Sequence, residues 1–161
     1  MSEHEYRKTG VLTPQHIDTL LPDIPPQGKI AIIECVEDIP CDPCVAACPS
    51  NAITMETMVS RPSLIAERCQ GCGICIAHCP GLAIFVVDFD YSDDEAVVML
   101  PYEFTPLPEK GESVELLDRE GKKKGEGTII KSVIYKNKTA VLSVAVPKEL
   151  AMQVRHVRRI V

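Results

Sequence analysis

The chain has 161 residues, a net charge of −6, seven aromatic side chains and no tryptophan, which excludes one large aromatic-rich core and points to two small units. No apolar run approaches the ~20 residues of a membrane helix, so any membrane association would come through a partner. The polar start MSEHEYRKTG lacks the apolar stretch of an export signal, so a cytoplasmic setting is expected and a disulfide framework is not.

In chain order, Thr13 and Pro14 read as the cap and first position of a short helix through QHIDTLL, followed by an extended linker, PDIPPQG. IAIIE is the first strand and runs into Cys35. Farther on, two C-P dipeptides are each expected to lead into a short helical turn and an apolar strand. The first strand is AITMET, with a return near RPSLIAE, and the second is AIFVVDFDY, with a return near EAVVMLP after an SDDE tip. The proline-rich PYEFTPLPEKG marks a boundary. Beyond it, SVELLD, GEGTIIKSVI, TAVLSVAV and VRHVRRI are strand-like, with a helical turn at PKELAMQ. The expected fold class is α+β. An arm over residues 1–28 precedes a cysteine-containing unit over 29–103, and a small β-barrel of SH3-like type follows over 104–161.

The eight cysteines fall into two sets. Cys69, Cys72, Cys75 and Cys79, followed by Pro80, spell C-x2-C-x2-C-x3-C-P, the run that binds cubane iron-sulfur clusters. Cys35, Cys41, Cys44 and Cys48, followed by Pro49, make a second set, C-x5-C-x2-C-x3-C-P. Three thiolates can come from one tight loop, where Gly71 and Gly73 allow unusual dihedrals. After C-P the chain turns away, and the fourth thiolate ligates the neighbouring cluster. The expected ligand sets are therefore Cys35, Cys41, Cys44 and Cys79 for one 4Fe-4S cluster and Cys69, Cys72, Cys75 and Cys48 for the other. Structural zinc sites pair two separated C-x2-C knuckles, which this spacing does not suit. A core too small to be stable alone would have its clusters as filling, coupling cluster binding to folding.

The stretch from about Lys29 to Glu103 resembles a bacterial-type dicluster ferredoxin, and ACPSNAITM and HCPGLAIFV repeat one another at the same offset from their cysteines. One departure is the five residues VEDIP between Cys35 and Cys41, where that family usually has two. More narrowly, IECVEDIPCDPCVAACPSNAI and LPYEFTPLPEKGESVELLDREGK are similar to the small ferredoxin-type subunits that accompany FAD-containing dehydrogenases of proline, hydroxyproline and related amines. That resemblance implies a flavoprotein dehydrogenase and a redox acceptor as partners.

Residues 29–103 carry three basic and twelve acidic side chains, whereas 104–161 carry twelve basic and seven acidic. An acidic cluster unit suits a basic partner. Lys122, Lys123, Lys124, Arg155, Arg158 and Arg159 concentrate in the second part, but the aromatic platform of a single-strand binder is missing, so these read as solvated charges rather than a nucleic-acid surface. His78 and Arg68, beside the downstream cysteines, read as surface residues. No phosphate loop, dinucleotide fingerprint or catalytic nucleophile is present in the sequence pattern. Three functions fit: an electron-relay subunit of a larger flavin-dependent oxidoreductase, not an enzyme on its own; a free ferredoxin shuttle; or a protein with structural clusters. The segments outside 29–103 have no chemistry of their own and favour the first.

Overall fold

The computed structural model describes residues 5–20 and 27–161, so most of the expected linker PDIPPQG lies outside the described residues. The arm contains α1 (Glu5–Thr9), which has no counterpart in the sequence reading, and α2 (Pro14–Leu20). The Thr13 hydroxyl accepts the His16 N–H at 3.4 Å, as its capping position requires. Arg7 meets Asp38, in the segment between Cys35 and Cys41, at 3.0 Å, and Arg61, in the return segment RPSLIAE, donates to the Tyr6 hydroxyl at 3.2 Å, so the arm is fastened at two places to the upstream motif and its return.

Nine strands follow: β1 (Lys29–Ile33), β2 (Ile53–Thr54), β3 (Ser63–Leu64), β4 (Ile84–Asp88), β5 (Glu95–Tyr102), β6 (Ser113–Leu117), β7 (Lys123–Ile134), β8 (Ala140–Pro147) and β9 (His156–Arg159). Two short helices, α3 (Pro43–Ala47) and α4 (Ile74–His78), lie inside the cysteine motifs. A helical turn was expected after each C-P dipeptide; a single hydrogen-bonded turn does follow each, while the helix itself precedes it. Pro cannot supply the N–H that would continue the helix, and Cys48 and Cys79 are already extended.

Seven strands form one antiparallel sheet in the order β1-β4-β5-β8-β7-β6-β9, and β2 pairs with β3 alone. The expected SH3-like barrel is not there: residues 113–159 do not close on themselves. Closure would need β9 beside β8, but β8 is already paired with β7 on one side and with β5 on the other. β9 joins only β6 and approaches β5 through side chains, with the His156 and Tyr102 rings stacked at 5.6 Å. The β5–β8 ladder runs from Glu95↔Pro147 to Tyr102↔Ala140, so the sheet crosses from the cluster-binding part into the C-terminal part without a break.

Both faces of β1 and β4 are buried, which is why their sequences are continuous apolar runs rather than alternating ones. One face, with Ile32, Val87, Val98 and Leu100, belongs to a core shared with Val114, Leu116, Ile129 and Leu142 of the C-terminal strands. The other, with Ile33, Ile84 and Val86, packs beneath Ile53, Ile76, Cys44 and Cys75. The cysteine loops therefore sit on a rigid sheet.

Candidate metal centres

The two motifs are built alike. Asp42 stands before Pro43, a good first helical residue, and α3 carries Cys44; Gly73, left-handed at φ +78°, opens α4, which carries Cys75. Each helix ends on an extended cysteine, Cys48 or Cys79, whose carbonyl accepts the N–H of the third residue on, Asn51 or Leu82. Those residues are left-handed too, at φ 51° and 53°. The fourth residue on then donates its N–H back to the thiol: Ala52 to Cys48 Sγ and Ala83 to Cys79 Sγ, both at 3.3 Å. The internal repeat in the sequence is thus a repeat of backbone geometry, and it leads each terminal sulfur away from its own loop.

The structure brings the cysteines together four and four. Cys35, Cys41, Cys44 and Cys79 line a cavity of about 590 Å³ beside the arm. Cys48, Cys69, Cys72 and Cys75 line a second, tighter one, where Cys72 is exposed to solvent. Ala31 N–H, on β1, donates to Cys69 Sγ at 3.4 Å. Among the described residues, no three Cys, His, Asp or Glu side chains converge closely enough to hold a single ion. Thiols set around a cavity, rather than a point, suit a four-iron core.

The thiols feel one another in the same two groups. Burial, then the charges of Cys79, Cys35 and Cys41, push Cys44 up to about 11. Burial, then Cys72 and Cys69, push Cys75 up to about 12, with Cys48 adding to the effect. Burial also raises Cys35, with Cys79 and Cys41 contributing. Cys48 is the exception: burial would raise it, but hydrogen bonds from the Ser50 hydroxyl and from backbone N–H groups outweigh that and lower it. Ligation requires thiolates, so cluster loading at Cys44 and Cys75 must displace protons. The soft sulfur donors, their number and their grouping fit iron-sulfur cubanes.

His78 is exposed, with Nδ1 2.9 Å from the Ile74 carbonyl, and Arg68 ends an exposed 3-10 turn, as expected of surface residues. Five of the six basic residues picked out in the C-terminal part have carboxylate neighbours: Lys122 with Glu120, Lys123 with Glu115 and Glu126, Lys124 with Asp118, Arg158 with Glu115, and Arg159 with Glu112. Arg155 departs from the solvated reading. It is buried, bonded through Nε to Glu34 Oε1 at 2.8 Å, and its guanidinium lies 5.0 Å from the Phe85 ring centre. Arg119 binds the same carboxylate, with Nε 3.1 Å from Oε2. Glu34, Arg119 and Arg155 line the first cavity, and none was singled out as a site residue from the sequence. The signal available was an acid closing the apolar run IAII immediately before Cys35.

Residues 34–83 match the 4Fe-4S dicluster domain family. Over 39 residues the chain is 41% identical to the aliphatic sulfonate oxidoreductase, polyferredoxin-like subunit, of Pyrococcus furiosus; the match covers 24% of this chain and 22% of that relative. No solved structure matches. Residues 34–83 are therefore a 4Fe-4S dicluster domain, and its eight cysteines fit two 4Fe-4S clusters.

Proposed function

We propose that the chain is the electron-relay subunit of a multi-subunit flavin-dependent oxidoreductase, with one 4Fe-4S cluster on Cys35, Cys41, Cys44 and Cys79 and the other on Cys48, Cys69, Cys72 and Cys75. The observation that carries the reading is the division of eight thiols between two cavities, each combining three cysteines of one motif with the last cysteine of the other. When bound, each cluster supplies a reversible one-electron acceptor. The protein's part is to hold the sulfurs and steady their negative charge, with the N–H groups of Ala31, Ala52 and Ala83 aimed at Cys69, Cys48 and Cys79. Exposed Cys72 places one set at the surface, where a partner's redox group can approach.

The relative's description as a polyferredoxin-like subunit of an oxidoreductase supports a subunit role. The resemblance around IPCDPC favours a flavin-containing dehydrogenase of the proline, hydroxyproline or amine type as the electron donor, since flavin can release its two electrons singly. Residues 104–161 serve this complex as a docking region, and its setting is the cytoplasm. Among the described residues no helix is long and apolar enough to cross a membrane.

The test is anaerobic copurification followed by reconstitution. The native protein should carry about eight irons and eight sulfides, in keeping with two cubanes, and accompany a flavoprotein dehydrogenase. Substituting Cys72→Ser or Cys44→Ser should leave substrate reduction of the partner's flavin intact and abolish transfer to the acceptor. A lone monomer that exchanges electrons equally well with unrelated reductases would identify a free shuttle instead.

A further inference from the structure

The two cavities differ in one respect that their cysteines do not share. Glu34, adjacent to Cys35 in sequence, is buried, and two guanidinium groups converge on its single carboxylate. The three side chains bear two positive charges and one negative, and all three line the cavity of Cys35, Cys41, Cys44 and Cys79; Glu37, which also lines it, is exposed to solvent, so the charge held away from water is a net positive one. Among the described residues, no charged side chain lines the cavity of Cys48, Cys69, Cys72 and Cys75. The surplus charge is fixed in place: Arg155 Nη1 donates to the carbonyls of Ala151 at 3.0 Å and Val154 at 2.6 Å, and its guanidinium faces Phe85.

Four thiolates around a cubane leave the ligated cluster anionic, and reduction adds one electron with no bond made or broken. A positive charge held out of water acts on that electron far more strongly than one at the surface. Net charge around otherwise identical ligands is among the factors that set a cluster's potential. We propose that the Glu34–Arg119–Arg155 triad raises the midpoint potential of the cluster on Cys35, Cys41, Cys44 and Cys79 above that of its neighbour, so that a single electron on the pair rests beside the triad. Arg119 comes from the β6–β7 turn and Arg155 from the segment entering β9. The C-terminal strands thereby reach into the cluster site and set the direction of transfer within it. These residues tune the site and touch no substrate.

The inference rests on the ligand sets proposed above, and the two can fail separately. Potentiometric titration of the full-length holoprotein, followed by electron paramagnetic resonance, resolves the two clusters. The signal changed by Cys44→Ser identifies the cluster beside the triad, and if Cys79→Ser leaves that signal untouched the ligand sets are wrong. In wild-type protein the triad-side cluster should be reduced first, with at least a tenfold preference for the electron, or about 59 mV for a one-electron couple. Finding it the lower of the two overturns the proposal without any variant. Arg119→Gln should lower its potential, Glu34→Gln should raise it, and Arg119→Lys, which keeps the charge, should leave it near wild type. Shifts of the same sign for Arg119→Gln and Glu34→Gln, or equal shifts at both clusters, would show a merely structural role.

Discussion

Replacing Gly71 with alanine tests how tightly the downstream loop is pressed against the sheet. Gly71 is left-handed at φ +62°, which costs an alanine ~1–2 kcal/mol. Its new Cβ would also lie 2.8 Å from the carbonyl oxygen and 3.0 Å from the carbonyl carbon of Lys29. Those are backbone atoms of β1, held by the β4 ladder, so relief requires moving a strand, and overpacking of this kind adds ~1–3 kcal/mol. The sum is about 2–5 kcal/mol. Gly73 provides a control within the same loop: it is also left-handed, but its Cβ would meet only the flexible end of Met99, at 2.5 Å, so Gly73→Ala should cost about 1–2 kcal/mol. Gly81 has open space and no left-handed backbone, and Gly81→Ala should fall within ~0.5 kcal/mol of wild type. Anaerobic denaturation of the holoproteins, with visible absorbance read beside circular dichroism, should rank them Gly71→Ala, Gly73→Ala, Gly81→Ala from least stable upward. If Gly71→Ala is as stable as Gly73→Ala, the loop is not held against the Lys29 backbone as described.

Two further predictions concern the crossed sites and the C-terminal strands. Cys48→Ser should disturb the cluster on the Cys69, Cys72 and Cys75 loop, and Cys79→Ser the one on the Cys35, Cys41 and Cys44 loop; spectroscopy showing each confined to its own loop's cluster would reject the assignment. Truncation from Glu109 would strip β8 from β5 and uncover Val98 and Leu100, both fully buried, so the truncated chain should lose clusters as well as any docking function; iron content equal to wild type after truncation would contradict this.

Local pattern foretold most of the strands, because β1, β4, β5 and β8 are short apolar runs bounded by turns, and the cysteine spacing foretold two metal centres. What it missed follows from non-local physics. The α3 and α4 helices are five residues each and interrupted by cysteines, leaving no periodicity to read. The open sheet depends on β5 pairing with a strand some forty residues later, and no window of sequence contains both. Arg155 resembles Arg158 and Arg159 in type and neighbourhood, yet only Arg155 enters the interior. The difference lies in Glu34, 121 residues away.

The Ala31 N–H bond to Cys69 also bears on solubility. Strand β1 is at the border of the sheet, and such a border normally invites pairing with another molecule. Here Ala31 spends its outward N–H on sulfur, and the loop around Gly71 lies against Lys29, so the metal-binding segment itself screens that border. At the opposite border, β9 is screened by side-chain charge, with Arg158 bound to Glu115 and Arg159 to Glu112. The first of these screens is built from a cluster-ligand loop, and its retention after iron removal is measurable by hydrogen exchange at β1. If that loop comes away with its cluster, β1 is left as an open edge, so iron-depleted protein is expected to aggregate through β1 more readily than holoprotein, which light scattering before and after chelation would check.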